Sequence, residues 1–461
     1  MVRSSYCWMA FLTFALCCSA AVADDYAIVV SKSTNADADW HKVVTALQNK
    51  YADSHVVSVI EYADNVTEAL PELKKRFPRY TCVVARPEDA GRKFVAQVHQ
   101  LTRKLDDDPY TDTLWGILTG YDAAAALRIA KHNDPLTVRK VGSGTELAME
   151  MIEEGVWYCE LNKNKMVRKE KGGQAKEEQG PDDTTKALVD SINDYKADLF
   201  VTSGHATERD WQIGFRYRNG SFRCEEGKLY GLDTARKKHP VDSSNPKVYM
   251  PIGNCLMGHI DSRDAMALAW MNSAGVNQML GYTVPTWFGY GGWGCLDYFI
   301  EQPGRYTFTQ AFFANHHALV HRLATEFTQA DGTVATRGEG RGLAFDRDVV
   351  AFYGDPAWQA KMAEGKTAWK QSLKVEGNRY TLTIEPQRGA ETFKPINVNG
   401  SQRGWRPIVE FLPQRVKHVK VISGDELKPV ITDDFVLIPN PRECEPNKKY
   451  EVVFEAEVID D

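Results

Sequence analysis

The chain has 461 residues, a formal net charge of −6, and 43% hydrophobic and 11% aromatic side chains. That is the make-up of an ordinary globular protein with material for a large core, and at roughly 150 residues per domain it implies two or three domains. The charge is spread along the chain without a basic face, which excludes a nucleic-acid binder.

Residues 1–23 read as a targeting segment. Arg3 supplies the positive charge, Trp8 to Cys18 are apolar, and Ala21-Val22-Ala23 is a small-x-small signal, with cleavage expected near Ala23. The apolar stretch is too short to span a bilayer comfortably. Cys17 and Cys18 lack the small residues that a lipoprotein signal needs before its cysteine. The expectation is an exported chain, secreted or periplasmic, with no membrane anchor once mature. Cleavage leaves six cysteines, Cys82, Cys159, Cys224, Cys255, Cys295 and Cys444. In an exported protein they imply up to three disulfides, but they are too scattered to be a disulfide scaffold.

From residue 24 to 160, strand-like and helix-like runs alternate. Tyr26 to Val30, His55 to Ile60, Tyr80 to Ala85 and Leu114 to Leu118 read as buried strands. Asp39 to Tyr51, with Asp39 as N-cap, and the runs Thr67 to Phe77, Gly91 to Leu105 and Asp122 to His132 read as helices. This alternation predicts an α/β subdomain built on a parallel sheet covered on both faces. Residues 161–183 are charged, contain glycine and have few large apolar side chains, which predicts a mobile loop and offers basic residues for processing. A second α/β subdomain spans 184–368, and short strands with turns between them over 372–461 predict a β-sandwich.

Two apolar runs in the second subdomain stop on a reactive side chain: Phe200 to Ala206 carries His205, and Val248 to Cys255 ends on Cys255. In an open parallel sheet, functional groups gather beyond the carboxyl ends of strands. If the two strands are neighbours, the imidazole can activate the thiol for attack on a carbonyl, with backbone N–H groups holding the oxyanion. Gly204 and Gly253 suit such turns, because glycine admits a close backbone approach. The plainer reading is that Cys255 is a small buried hydrophobe and His205 satisfies a turn.

At these residues the chain resembles the gingipain family of the caspase-like clan of cysteine peptidases. Ser203-Gly204-His205 resembles that family's Gly-His motif, with Asp210-Trp211 following it. Gly253-Asn254-Cys255-Leu256-Met257-Gly258 stands where the nucleophile segment belongs. Phe352-Tyr353-Gly354-Asp355-Pro356-Ala357 resembles the family's Gly-Asp-Pro signature, and Gly116-Ile117-Leu118-Thr119-Gly120 with its Ala-rich helix resembles a family strand–helix pair. The resemblance implies a caspase/gingipain-like fold, a mainly parallel sheet in two subdomains followed by an immunoglobulin-like β-sandwich.

It also implies roles. Cys255 would be the nucleophile and His205 the base and acid. The backbone at Gly204, Ala206 and Asn254 would frame the oxyanion site. Glu146, in Gly142-Ser143-Gly144-Thr145-Glu146, would orient the histidine, with Asp122 and Glu153 as alternatives. Trp287, in the loop Thr283 to Phe288, would wall the pocket for the P1 side chain, where an aromatic face suits a cation. The family's acid for a basic P1 side chain does not map. No cofactor is required, and a structural calcium ion is compatible with the resemblance. Two departures stand out: Ala206 replaces the usual glycine after the histidine, and Asn254 replaces the alanine before the cysteine.

Other signals are weaker. His317 and His321 share a helix face at zinc spacing, but Ala318 stands where a metallopeptidase has glutamate. His259 is a second histidine near Cys255, and Asn65, Asn219 and Asn399 lie in glycosylation sequons. The resulting expectation is an exported cysteine endopeptidase that takes a peptide or protein substrate, with the oligomeric state undetermined. Two alternatives stay open: an inactive family member that binds peptides or proteins, and a transpeptidase using the same dyad.

Overall fold

The computed structural model describes residues 25–329, 333–334, 337–445 and 447–459. The expected targeting segment, residues 1–23, lies outside the described residues. In chain order the main strands are β1 Asp25–Ser31, β2 Val56–Tyr62, β3 Tyr80–Val84, β4 Leu114–Leu118, β5 Lys140–Ser143 and β6 Glu154–Tyr158. They continue as β7 Lys165–Lys169, β8 Lys176–Gln179, β9 Leu199–Thr202, β10 Lys247–Pro251, β11 Val276–Tyr282 and β12 Val350–Tyr353. All twelve join one sheet in the order β2-β1-β3-β4-β12-β11-β10-β9-β5-β6-β7-β8. The two expected subdomains therefore share a single sheet.

The pairing is parallel from β2 to β12 and again from β11 to β6, while β11 and β12 pair antiparallel. Two parallel halves thus meet running in opposite directions. The carboxyl ends of β5, β6, β9, β10 and β11 share one edge, and those of β1, β3 and β4 lie at the other. The central strands are apolar because both their faces are covered; β11 is buried along its whole length. Helix α1, Ala38–Tyr51, buries Trp40, Val43, Val44 and Leu47. Its cap is Asp37, whose carboxylate accepts from the N–H groups of Asp39 and Trp40, so the cap lies two residues before the expected Asp39.

The Gly-Asp-Pro segment is a structural latch. Asp355 accepts hydrogen bonds from Tyr26 Oη (2.9 Å) and Tyr51 Oη (2.6 Å) and pairs with Lys50 (2.8 Å), tying β1 and α1 to the residues after β12. Burial pushes both tyrosine hydroxyls well above their ordinary range.

The charged stretch at 161–183 is not a plain loop: β7 pairs antiparallel with β6, and β8 with β7. Met166 buries against the core, and Lys169 Nζ donates to the Met149 and Ile152 carbonyls (3.0 and 2.5 Å). The fully exposed sequence Lys176–Gln179 is the sheet's edge strand, where charge discourages pairing with another chain.

Beyond residue 368 the strands are β13 Trp369–Glu376, β14 Arg379–Pro386, β15 Ile408–Phe411, β16 Val416–Ser423, β17 Val430–Ile431, β18 Phe435–Ile438 and β19 Tyr450–Val458. They form a four-stranded sheet, β13-β14-β19-β16, and a three-stranded sheet, β15-β18-β17. Alternation divides β18 in two: Val436 and Ile438 join the core shared by these sheets, while Phe435 and Leu437 join the core of the α/β body. All six cysteines of the described residues are free thiols. The expected disulfides are absent among them because the cysteines sit on separate strands and loops, with Cys82, Cys159, Cys295 and Cys444 each buried in its own packing.

Candidate active site

Strands β9 and β10 are hydrogen-bonded neighbours in parallel register, from Leu199 opposite Val248 to Thr202 opposite Pro251. His205 and Cys255 follow them at the same edge, and both line one cleft of about 490 Å³. Gly204 makes the turn into His205 with φ of 96°, the left-handed region that glycine enters without strain. Trp211 is buried and donates its indole N–H to the Ser203 carbonyl at 2.7 Å, and the Gln212 N–H donates to the His205 carbonyl at 2.9 Å. Trp211 and Gln212 therefore brace the histidine loop.

Asn254 ties that loop to the cysteine. Its Oδ1 accepts from Thr202 Oγ1 (2.7 Å) and its Nδ2 donates to the Gly204 carbonyl (3.1 Å). Alanine could make neither bond, which gives asparagine at this position a physical role. Past Cys255 the chain turns sharply: Leu256 has φ of 59° and donates its N–H to the Val284 carbonyl at 3.1 Å. Gly258 then lies on Gly281 so closely that a Cβ would meet the Gly281 carbonyl at 2.2 Å.

The Cys255 sulfur receives the Thr286 backbone N–H at 3.2 Å, which sets the positive end of a peptide dipole beside it. The His205 imidazole lies against Phe215, with ring centroids 4.7 Å apart. Among the described residues no hydrogen bond joins the imidazole to the thiol. Trp287, 52% exposed, stands on the cleft wall against Phe345.

The other expected residues fall elsewhere. Glu146 follows β5 at the correct edge, but it forms no helix start, and its carboxylate turns to Lys165 (3.9 Å) rather than into the cleft. Asp122 caps the helix Ala123–Lys131 at the carboxyl end of β4, on the opposite edge. Glu153 precedes β6, also at the opposite edge, and pairs with Arg139 and Lys171. His317 and His321 do not converge: His317 stacks on Phe435 at 4.3 Å, and His321 Nδ1 bonds Tyr110 Oη at 3.0 Å.

The acid that does line the cleft is Glu160. It is 6% exposed, and its Oε1 accepts from Thr145 Oγ1 (2.6 Å) and Asn399 Nδ2 (3.3 Å). Its Oε2 is enclosed without a partner among the described residues. Its carbonyl accepts the N–H groups of Phe215 (2.6 Å) and Arg216 (3.2 Å), so it also seats the ring against which His205 lies. The sequence carried a signal for it: Gly155 to Glu160 is a third apolar run stopping on a reactive residue, at the end of a strand parallel to β9.

Outside the cleft, Asp106, Asp108 and Asp112 bring carboxylate oxygens within 4.8 Å of one another. Burial and the two neighbouring carboxylates push Asp112 up to about 9. Such hard oxygen donors suit a calcium ion.

No family model matches the chain, and no curated protein matches it. Among solved structures it is similar to one described as a complex of Porphyromonas gingivalis RgpB pro- and mature domains. The sequence identity is 11%, the TM-score is 0.46, and 94% of each chain is covered.

Proposed function

We propose that the protein is a cysteine endopeptidase in which Cys255 and His205 act as a dyad. The observation that carries this is the delivery of both side chains by adjacent parallel strands into one cleft, with the sulfur beside the Thr286 N–H. The thiolate adds to the substrate carbonyl, and the oxyanion is held by backbone N–H groups at Cys255 and beside Gly204. His205 then gives the proton taken from the thiol to the leaving amine, and the peptide C–N bond breaks. Water, deprotonated by His205, cleaves the acyl-enzyme and restores the thiol. The Asn254 side chain is committed to Thr202 and Gly204, so it holds the two loops in register and does not reach substrate. The enclosed Glu160 Oε2 and the exposed Trp287 face support a cationic side chain at P1. The pattern of residues 1–23 supports export.

Peptidyl acyloxymethyl ketones varied at P1 test the reading by mass spectrometry. Modification of Cys255 is expected, and it is expected to vanish in His205→Ala. Absence of label on folded protein from every member would sink the peptidase. The lack of an imidazole–thiol bond favours a second reading, a protein that binds peptides in this cleft without cleaving them, and that same result would favour it.

A further inference from the structure

One wall of the cleft comes from the far end of the chain. Residues 397–403, just before β15, leave the C-terminal sheets and cross the α/β body, and Asn399, Gly400 and Ser401 line the cleft opposite the dyad loops. Gly400, with φ of 103°, lies on the Trp293 ring, where a Cβ would come within 2.2 Å of Cε3. The same indole packs on Gly253, two residues before the nucleophile, where a Cβ would meet Nε1 at 2.5 Å. One tryptophan is thus shared by the nucleophile segment and this strap.

The strap is pinned more firmly than a linker requires. Arg403, with a side chain only 2% exposed, pairs with Asp297 (2.6 Å) and Glu301 and donates to the Asn399 carbonyl (3.0 Å). Gly404 N–H donates to the other Asp297 oxygen (2.9 Å), with which Arg406 is ion-paired (3.0 Å), and the Arg406 guanidinium lies 3.8 Å from the Tyr290 ring centroid. The orientation is also the reverse of an ordinary packed segment: apolar Val398 is 69% exposed, while polar Asn399 points inward to Glu160 and Thr145 (3.3 and 3.5 Å).

We propose that this strap is a working wall of the substrate cleft and that Asn399 is a positioning residue. Together with Thr145 it holds one oxygen of Glu160, so that the other is presented to the side chain that the cleft accepts. The proposal rests on the reading of the cleft as a peptide site.

The test uses the full chain as Cys255→Ala, which separates binding from turnover, and titrates N-acetyl tripeptide amides that differ in the last residue. Asn399→Ala is expected to weaken the tightest amide about ten-fold, the scale of one hydrogen bond to a charged group, and to flatten the ranking of amides. Asn399→Asp keeps the size but sets a second carboxylate against Glu160, and is expected to disturb the ranking at least as much. A strap that only joins domains would change the melting temperature and leave the ranking intact, and unchanged ranking in either folded variant overturns the proposal. Failure of the Cys255→Ala chain to bind any amide overturns it as well. Binding by that chain with no hydrolysis by the wild type removes the peptidase reading alone.

Discussion

Asn254 and Glu160 show how single polar side chains organise the cleft. Asn254 is fully buried, and both ends of its amide are bonded to the histidine loop's strand and turn. Asn254→Ala strands the Gly204 carbonyl and loosens the register of the two loops. It is expected to cost about 1–3 kcal/mol in urea unfolding and to lower kcat more than it raises KM. Glu160→Gln keeps an acceptor for Thr145 but removes the charge. KM for substrates with a basic P1 is expected to rise at least ten-fold, with neutral substrates little changed. An equal fall in kcat for every P1 would instead assign Glu160 to orienting His205. The sequence shows His205 and Cys255 because each ends an apolar run. Glu160 ends one too, but it is the last residue before the charged stretch at 161–183, where one more acid does not stand out. Glu146 misleads because position along the chain says nothing about which way a carboxylate turns, and this one turns to Lys165 on β7.

Strand ends set the site, and two backbone details hold them there. Gly258 and Gly281 touch main chain to main chain, so the segment after Cys255 can lie on β11 only without side chains at both positions. Gly258→Ala must therefore move backbone, and a loss of about 1–3 kcal/mol or more is expected in thermal unfolding, together with slower alkylation of Cys255. At this scale the strands of the sheet centre are legible because burial on both faces demands unbroken apolar runs. The hairpin β7–β8 is not, since its strands form by pairing with β6 rather than from their own charged composition. The reversal at β11–β12 is equally hidden: strand direction depends on long connections that carry no periodic pattern. That reversal is what places Asp122 away from the dyad.

Across the whole molecule, the C-terminal sheets join the body through Val409, Phe411, Phe435 and Leu437, which belong to its core, and also at the strap and around Asp112. Arg415 bonds Asp433 and the Asp112 carbonyl there. Burial, then Asp106, Asp108 and Asp434, raise Asp112 to about 9, against the lowering effect of the Leu105 N–H, from an ordinary value of 3.8. A carboxyl that holds its proton more tightly when folded contributes stability that is complete below about pH 4 and is lost as pH rises toward 9. The melting temperature is expected to decline across that window, and Asp112→Asn to flatten the decline. A β-rich unit past residue 372 was readable from its short strands, but its share in the cleft was not, because Asn399 lies far from Cys255 along the chain and no local pattern links them. The strap also bears on how the protein is made. His205 and Cys255 leave the ribosome well before Arg403, so a growing chain owns its nucleophile while Asp297 and Glu301 still lack their guanidinium partner. Completion of the cleft thereby waits for synthesis to reach the strap.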